Sequence, residues 1–505
     1  MAPAVNDRAV WTLGALLRPW LDECAGADTE VADVVADSRT VSAGSVFLAV
    51  AGGRHHGLDF AGRAVEAGAS AILWDEAPEP LTRKADEACA RSGIACLHVP
   101  GLRSLAGEIA GRFHGEPSRG LPVVGVTGTD GKTSVSQFLA QALTAGGTAC
   151  GVVGTLGHGI AGRLKAGTHT TPDAAELQRQ LAELRAAGAG AIAMEVSSHA
   201  LDQYRVGGVR FDCAVLTNLS RDHLDYHGTD AAYADAKARL FHVAGLGTAV
   251  LNADDDFGRR LEQEIPATVR RLRYSLDPAS SAELVAEAIA QRPGGLGIRA
   301  RIMGEALRLE VPLLGRFNVA NILATAGALL ALGRSVSELP GLLGDLAAVP
   351  GRMERFSAPG RADVIVDYAH TPAALEAALA AVRAHYPGSI WCVFGCGGDR
   401  DRGKRPLMGA AAARGADHVI ITDDNPRTED PDAIVEEIRA GALASASVGV
   451  ERDRPAAIAA ALAAAAPGDA VLVAGKGHED YQVVGRDRAY YSDRETVRAL
   501  MEGGH

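Results

Sequence analysis

The sequence predicts an α/β protein of three domains, with mainly parallel sheets in its central and C-terminal parts. Three observations lead there. The chain has 505 residues, and at ~150 residues per domain that is about three domains. Short apolar strand-like runs alternate with Ala-rich helical segments, as in parallel sheets. Most unusual polar clusters directly follow such a run, where open α/β sheets bind ligands.

The composition agrees. Hydrophobic residues make up 47% and charged residues 22%, ordinary for a globular chain and too apolar for a disordered one. Aromatics are only 5% while glycines number 59, which argues against an aromatic nucleic-acid platform. The net charge of −12 disfavours a polyanion partner. The seven cysteines are scattered, with no C-x-x-C pair, so reduced thiols in a cytoplasm are expected. The opening apolar stretch is broken by Arg18-Pro19 and does not read as a signal peptide. The longest other apolar run, Ala456 to Ala466, is too short to span a membrane.

Pro/Gly-marked joints at Glu116 to Pro122 and Val349 to Arg352 suggest domains at 1–118, 119–349 and 350–505. In the first, Val46 to Val50 and Ala71 to Trp74 read as strands of a smaller α/β unit. In the second, strands are expected at Val123 to Val126, Ala191 to Met194, Cys213 to Leu216 and Thr248 to Leu251. In the third they are expected at Val364 to Val366, Ile390 to Phe394, His418 to Ile421 and Ala470 to Val473, with helices at Ala373 to Ala384 and Ala456 to Ala466.

The sharpest motif is Gly128-Thr129-Asp130-Gly131-Lys132-Thr133-Ser134, between a strand and a helix. Glycines let backbone N–H groups surround phosphate oxygens, Lys132 supplies positive charge, and the Thr133 hydroxyl suits Mg²⁺. Val126 stands where the usual P-loop spacing has glycine. Glu195, ending the next apolar run, suits a metal held by Thr133; a helix cap or surface acid is the plainer reading. His223 is either a further metal ligand or a structural histidine. Lys237 shares the apolar face of an expected helix, Ala231 to Phe241, with Tyr233 and Phe241. Either its stem snorkels, or its amine is neutral and takes up CO₂ as a carbamate. In the last third, Arg400, Asp424, Asn425, Arg427 and Glu479 follow three strands. Both charge signs converge there, as a zwitterionic ligand requires.

Together these motifs resemble the Mur ligase family over nearly the whole chain. GTDGKTS at 128–134, MEVSSHAL at 194–201, TNLSRDHLDYHG at 217–228 and the Lys237 helix occur in the family's order. So do GRFNVANILA at 315–324, PGRMERF at 350–356, DYAHTP at 367–372, GCGGDRDRGKRPLM at 395–408, DDNPR at 423–427 and GKGHEDYQ at 475–482. The resemblance implies an N-terminal UDP-binding domain, a central P-loop ATPase domain and a mobile, Rossmann-like C-terminal domain. It implies an ATP-dependent ligase that adds diaminopimelate to the D-glutamate of UDP-N-acetylmuramoyl-L-alanyl-D-glutamate through an acyl phosphate, in peptidoglycan precursor synthesis. Such a chain is expected to act as a cytoplasmic monomer, with no nucleic-acid partner and no membrane insertion.

The resemblance also assigns residues. Ser38, Gly53, Arg54 and His55 would contact the UDP end, and Thr170, Thr171, Ser197, Gln203 and Arg205 the muramoyl-dipeptide end. Asn318, Arg352, Asp367 and His370 would help seat ATP. Lys237 would be the carbamylated lysine, with Thr133, Glu195 and His223 at the metal positions. Arg400, Asp424, Asn425, Pro426, Arg427, Gly475 and Glu479 would hold diaminopimelate, with Arg427 clamping its second carboxylate. Two residues depart from the family pattern: Asp130 replaces its usual Asn, and His56 stands where Asp is common before Gly57. The nearest rivals are a lysine-adding ligase and a folylpolyglutamate-type ligase. A GTPase switch would carry an N-K-x-D motif, which is not found.

Overall fold

Parallel sheets with helices between their strands position the functional loops. The computed structural model describes residues 10–53, 55–167, 169–442 and 447–503. The chain divides into two units, Met1–Leu272 with Ala331–Gly333, and Arg273–Leu330 with Arg334–His505.

The first unit opens with a four-stranded parallel sheet in the order Asp33–Val35, Ser45–Ala49, Ala71–Trp74, Ala95–His98. Alternate residues of Ser45–Ala49 serve opposite cores. Val46 and Leu48 pack with Leu13, Leu16 and Ile109, while Phe47 and Ala49 pack with Ala61, Ala64 and Ala85.

A second parallel sheet in this unit runs Cys150–Gly154, Ala191–Glu195, Val123–Thr127, Cys213–Leu216, Thr248–Asn252. Three of these strands extend one polar residue beyond the apolar run, to Thr127, Glu195 and Asn252. Cys150–Gly154 was not expected, and it leads into an antiparallel edge formed by Gly157–Ile160 and Arg163–Lys165. Glu195 stands opposite Val126, and Leu216 opposite Thr127. The strands therefore end nearly level, and their loops emerge on one edge.

Helix Lys132–Ala145 buries Val135, Phe138, Leu139, Ala142 and Leu143, the spacing of one helical face. The helix expected over Ala231 to Phe241 is α-helical only over Asp230–Ala238 and tightens into a 3₁₀ turn at Arg239–His242. Tyr233, Lys237 and Phe241 are nonetheless all buried.

The second unit holds a six-stranded sheet ordered Glu354–Phe356, Asp363–Asp367, Ala470–Ala474, Ile390–Phe394, His418–Ile421, Ser447–Val450. All neighbours are parallel except the first pair. The expected helices appear as Pro372–His385 and Arg454–Ala464. This unit also contains three antiparallel strands, Leu284–Arg292, Gly295–Ile302 and Glu305–Val311, and a hairpin, Tyr481–Val484 with Asp487–Tyr490, none of them expected. No described helix is long and apolar enough to cross a membrane.

A fully buried ion pair ties the second unit together. Arg454 donates to both Asp493 oxygens, at 2.7 and 2.8 Å, and to the Ala474 carbonyl at 2.9 Å. The Tyr491 hydroxyl donates to Asp493 as well. Asp493→Ala would strand the guanidinium without a counter-charge, at a cost of about 3–5 kcal/mol. Urea unfolding of this variant should show a markedly lower midpoint; an unchanged midpoint refutes the role.

Candidate functional site

The phosphate-type loop leaves its strand at Gly128, whose φ is +146°. A Cβ there would lie 1.8 Å from Thr217 Oγ1, so only glycine fits. The neighbouring strand exit fastens the loop. Thr217 Oγ1 donates to the Asp130 carbonyl at 2.6 Å, and the Asp130 N–H donates to Asn218 Oδ1 at 3.0 Å. Gly131, left-handed at φ 84°, precedes helix Lys132–Ala145. Lys132 folds back, its Nζ donating to the Gly128 and Thr129 carbonyls at 3.0 and 2.8 Å. Ser134 is buried in the first turn of that helix.

Glu195 is 1% exposed, so it is not a surface acid. Its Oε2 accepts from Thr133 Oγ1 at 2.8 Å and Thr155 Oγ1 at 3.0 Å, and its Oε1 accepts the Thr155 N–H at 2.8 Å. Thr155, which sequence reasoning missed, lies just beyond the unexpected strand Cys150–Gly154. A hydroxyl and a carboxylate at the head of a phosphate loop form an oxygen donor set that suits Mg²⁺.

Lys237 is also 1% exposed, so it does not snorkel. Its Nζ donates to the Gly128 carbonyl at 2.6 Å and lies 4.4 Å from the Tyr233 ring centroid. Burial, and then the Lys132 ammonium, push its pKa well below the ordinary lysine value. Burial also pushes Tyr233 up to about 12, which keeps its phenol neutral 3.2 Å from Thr129 Oγ1. His223 adopts φ 52°, and its ring lies 4.8 Å from His199 and 6.2 Å from Tyr233. Among the described residues, no group of three His, Cys, Asp or Glu side chains forms a ready-made metal cluster.

A cavity of about 1060 Å³ lies in the same unit, lined by Ser38, Gly53, His55, Gln203 and Arg205 among others. Five of the nine residues expected at the UDP-substrate end thus share one cleft. Arg54 falls outside the described residues. Thr170, Thr171 and Ser197 do not line this cleft but connect it to Glu195. Thr171 Oγ1 donates to the Glu195 carbonyl at 2.9 Å, and the Thr171 carbonyl accepts from Arg205 Nη1 at 2.9 Å. Thr170 Oγ1 lies 3.1 Å from Thr155 Oγ1. Ser197 caps the short helix Ser198–Asp202. The lining also includes Arg63, Arg103 and Arg239, which sequence reasoning missed because no motif marks them, and Tyr226, which lies within the 217–228 motif but was given no role.

The second unit holds the other expected residues. Asn318 is buried, donating to the Leu314 carbonyl at 2.8 Å and accepting from Asn321 at 3.0 Å. The Arg352 guanidinium lies 4.4 Å from the Tyr368 ring centroid. Asp367 accepts the Met353 and Ala369 N–H groups, and burial raises its pKa. Burial lowers that of His370, whose Nδ1 lies 2.9 Å from the Tyr368 carbonyl.

At the carboxyl edge of the six-stranded sheet, a Cβ on Gly397 would lie 2.8 Å from Arg427 Nη1 and 3.7 Å from Arg400 Cγ. The two arginines therefore flank the same turn. Arg427 donates to the Gly398 carbonyl at 2.7 Å, and a Cβ on Gly398 would lie 1.8 Å from the Pro426 carbonyl. Asn425 joins the carboxylates, with its Nδ2 3.2 Å from both Asp424 Oδ1 and Glu479 Oε2. Burial, and then Asp424, raise the Glu479 pKa. Gly475, at φ 116°, leaves room beside Asp424. The motif residue that sequence reasoning passed over is Lys476, fully buried between these carboxylates.

Comparison with known proteins gives three family matches. Residues 30–114 match the Mur ligase family, catalytic domain; 126–329 the Mur ligase middle domain; and 351–477 the Mur ligase, glutamate ligase domain. The chain is 55% identical, over 97% of its length and 99% of the relative's, to the UDP-N-acetylmuramoyl-L-alanyl-D-glutamate--2,6-diaminopimelate ligase of Alkalilimnicola ehrlichii. It is 50% identical, over 94% of its length and 96% of the relative's, to the protein of the same name from Pseudomonas aeruginosa. A solved structure of a ligase with this name aligns at a TM-score of 0.74 and 35% identity, covering 98% of this chain and 99% of the other.

Lys237 yields a stability prediction with a definite sign. A lysine whose pKa is lower in the folded state binds fewer protons folded than unfolded, so stability rises with pH up to the ordinary lysine range. At neutral pH, burying this amine therefore costs stability. Lys237→Met, studied in bicarbonate-free buffer at neutral pH, should be more stable to urea by about 1–3 kcal/mol. A less stable variant would refute the burial argument.

Proposed function

The chain belongs to the Mur ligase family, and from that premise we propose that it is the ADP-forming ligase that adds diaminopimelate to UDP-N-acetylmuramoyl-L-alanyl-D-glutamate. The observation that carries the ligase chemistry is the pairing of Thr133 with buried Glu195 at the phosphate loop, with the Lys237 amine on the same loop. The end-to-end likeness to relatives of that printed name supports the substrates. Domains at 1–118, 119–349 and 350–505 remain our division of the work into UDP, ATP and amino acid. The seven free cysteines support a cytoplasmic setting.

The D-glutamate γ-carboxylate attacks the γ-phosphate of ATP and releases ADP, turning a poor leaving oxygen into an acyl phosphate. The diaminopimelate amine then attacks the acyl carbon, and the tetrahedral intermediate expels phosphate. Glycine-lined backbone amides of the loop cradle the phosphates, and Lys132 leaves the Gly128 and Thr129 carbonyls to neutralise their charge. Thr133, Glu195 and His223 would hold Mg²⁺, which when bound stabilises charge on the transferring phosphoryl group. Lys237 has the chemistry for a carbamate, since a neutral amine adds CO₂ and loses a proton to become an anionic oxygen ligand. Tyr233 shields that amine from water.

For the amino acid, Arg427 and Arg400 supply guanidinium donors to a second carboxylate, while Asp424 and Glu479 face an ammonium. Lysine lacks that carboxylate and would leave the guanidinium unpaired. A pocket built for a polar group can reject the analogue lacking it by ~10⁴-fold.

The assay combines the UDP-dipeptide, ATP and Mg²⁺ with separated diaminopimelate stereoisomers or lysine, and follows phosphate and the product's mass. Turnover with diaminopimelate and almost none with lysine is expected, and the reverse refutes the assignment. Arg427→Ala should cut diaminopimelate kcat/KM by about 10³-fold and leave the ATP KM unchanged. Lys237→Met should abolish turnover while preserving the fold, and ¹³C-bicarbonate should give wild type a carbamate resonance that this variant lacks.

A further inference from the structure

Lys476 is 0% exposed and lies in none of the roles assigned above. Its Nζ is 3.2 Å from Asp424 Oδ1, 3.1 Å from Asn425 Oδ1 and 2.7 Å from the Tyr481 carbonyl. An ammonium has three N–H donors, and these three acceptors use them all. Glu479 Oε2 stands farther off, at 3.9 Å.

Those acceptors come from different segments. Asp424 and Asn425 follow strand His418–Ile421, Lys476 and Glu479 follow strand Ala470–Ala474, and Tyr481 begins the hairpin. Asn425 Oδ1, once held by Lys476, also accepts the Val483 N–H at 3.0 Å. The Val483 carbonyl accepts the Arg427 N–H at 3.0 Å. One buried ammonium thus connects the acidic side of the site, through a single asparagine and a strand, to the backbone of the guanidinium proposed to grip the far carboxylate.

The charge count matters too. Asp424 and Glu479 are two carboxylates sharing one buried region, where like charges oppose joint ionisation. Lys476 offsets one of them and leaves one net negative charge to meet one ammonium. We propose that Lys476 is a positioning residue for amino-acid selection: without touching the substrate, it holds Asp424 and Glu479 side by side and sets Asn425 and Arg427 at the spacing of a zwitterionic α-amino-acid head group. This deepens the diaminopimelate reading and rests on it.

Glu479 gives a signature that a merely structural lysine would lack. Burial and then Asp424 already hold its pKa above the ordinary value, and Lys476 acts in the opposite sense. Removing Lys476 raises it further, so Glu479 of the variant ionises only at higher pH.

The test uses full-length Lys476→Met and Lys476→Gln, the second retaining hydrogen-bond donors without the charge. Steady-state KM values for diaminopimelate, ATP and the UDP-dipeptide are measured from pH 6 to 9, beside thermal unfolding. In Lys476→Met the diaminopimelate KM should rise about tenfold or more, with the other two KM values within about twofold. It should fall as pH rises, over a range where wild type is flat. Lys476→Gln should show the same pH-dependent KM with a smaller loss of stability, which keeps the test decisive where the methionine variant folds poorly. An unchanged diaminopimelate KM, or a parallel rise of all three KM values without pH dependence, overturns the proposal. A wild type that does not use diaminopimelate removes the substrate reading and this inference with it; a normal wild type beside an unaffected variant removes the inference alone.

Discussion

A carboxylate buried at the end of a strand must find donors for its oxygens, and the way Glu195 finds them organises the first unit. Thr133 brings in the head of the phosphate-loop helix, and Thr155 the exit of the neighbouring strand. The Glu195 carbonyl takes Thr171, whose own carbonyl orients Arg205 toward the cleft. The glycine-rich loop and the large cleft are thereby tied to one residue. Any displacement of that strand end would cost buried hydrogen bonds to a charged group, each worth about 1.5–3 kcal/mol.

Two buried lysines show how environment divides one residue type between tasks. Lys237 forms no ion pair among the described residues; it has a carbonyl, an aromatic face and a second lysine nearby. Its charge is therefore poorly supported, and its pKa is pushed toward the neutral, nucleophilic amine. Lys476 is as deeply buried but has Asp424 within ion-pair distance and Glu479 beyond it, so its charge is used to organise neighbours. The difference lies in the partners, not in depth.

The same contrast explains the glycines. Gly128 and Gly398 both sit where a Cβ would strike an oxygen at 1.8 Å. One lets the phosphate loop approach the next strand exit, and the other lets the Pro426-Arg427 segment close on the arginine-flanked turn. Close backbone approach, rather than flexibility, is what these positions require.

Most strands of the parallel sheets, the helix after the phosphate loop and the apolar helix face that carries Lys237 were legible in the sequence because short-range periodicity encodes them. Apolar runs end at the polar residues Thr127, Glu195 and Asn252, and those residues mark the functional edge. The three antiparallel strands between Leu284 and Val311 were missed, since their half-exposed alternation is weak beside the apolar runs of parallel strands. The cleft residues Arg63, Arg103 and Arg239 were missed because they lie far apart in the chain and meet only through packing. By itself the sequence determined the α/β class, the family resemblance and which residue types stand at each strand end. Only the tertiary structure decided that Glu195 is buried, that Lys237 forms no ion pair among the described residues and that Lys476 connects three segments, because burial and pairing depend on contacts between distant parts of the chain.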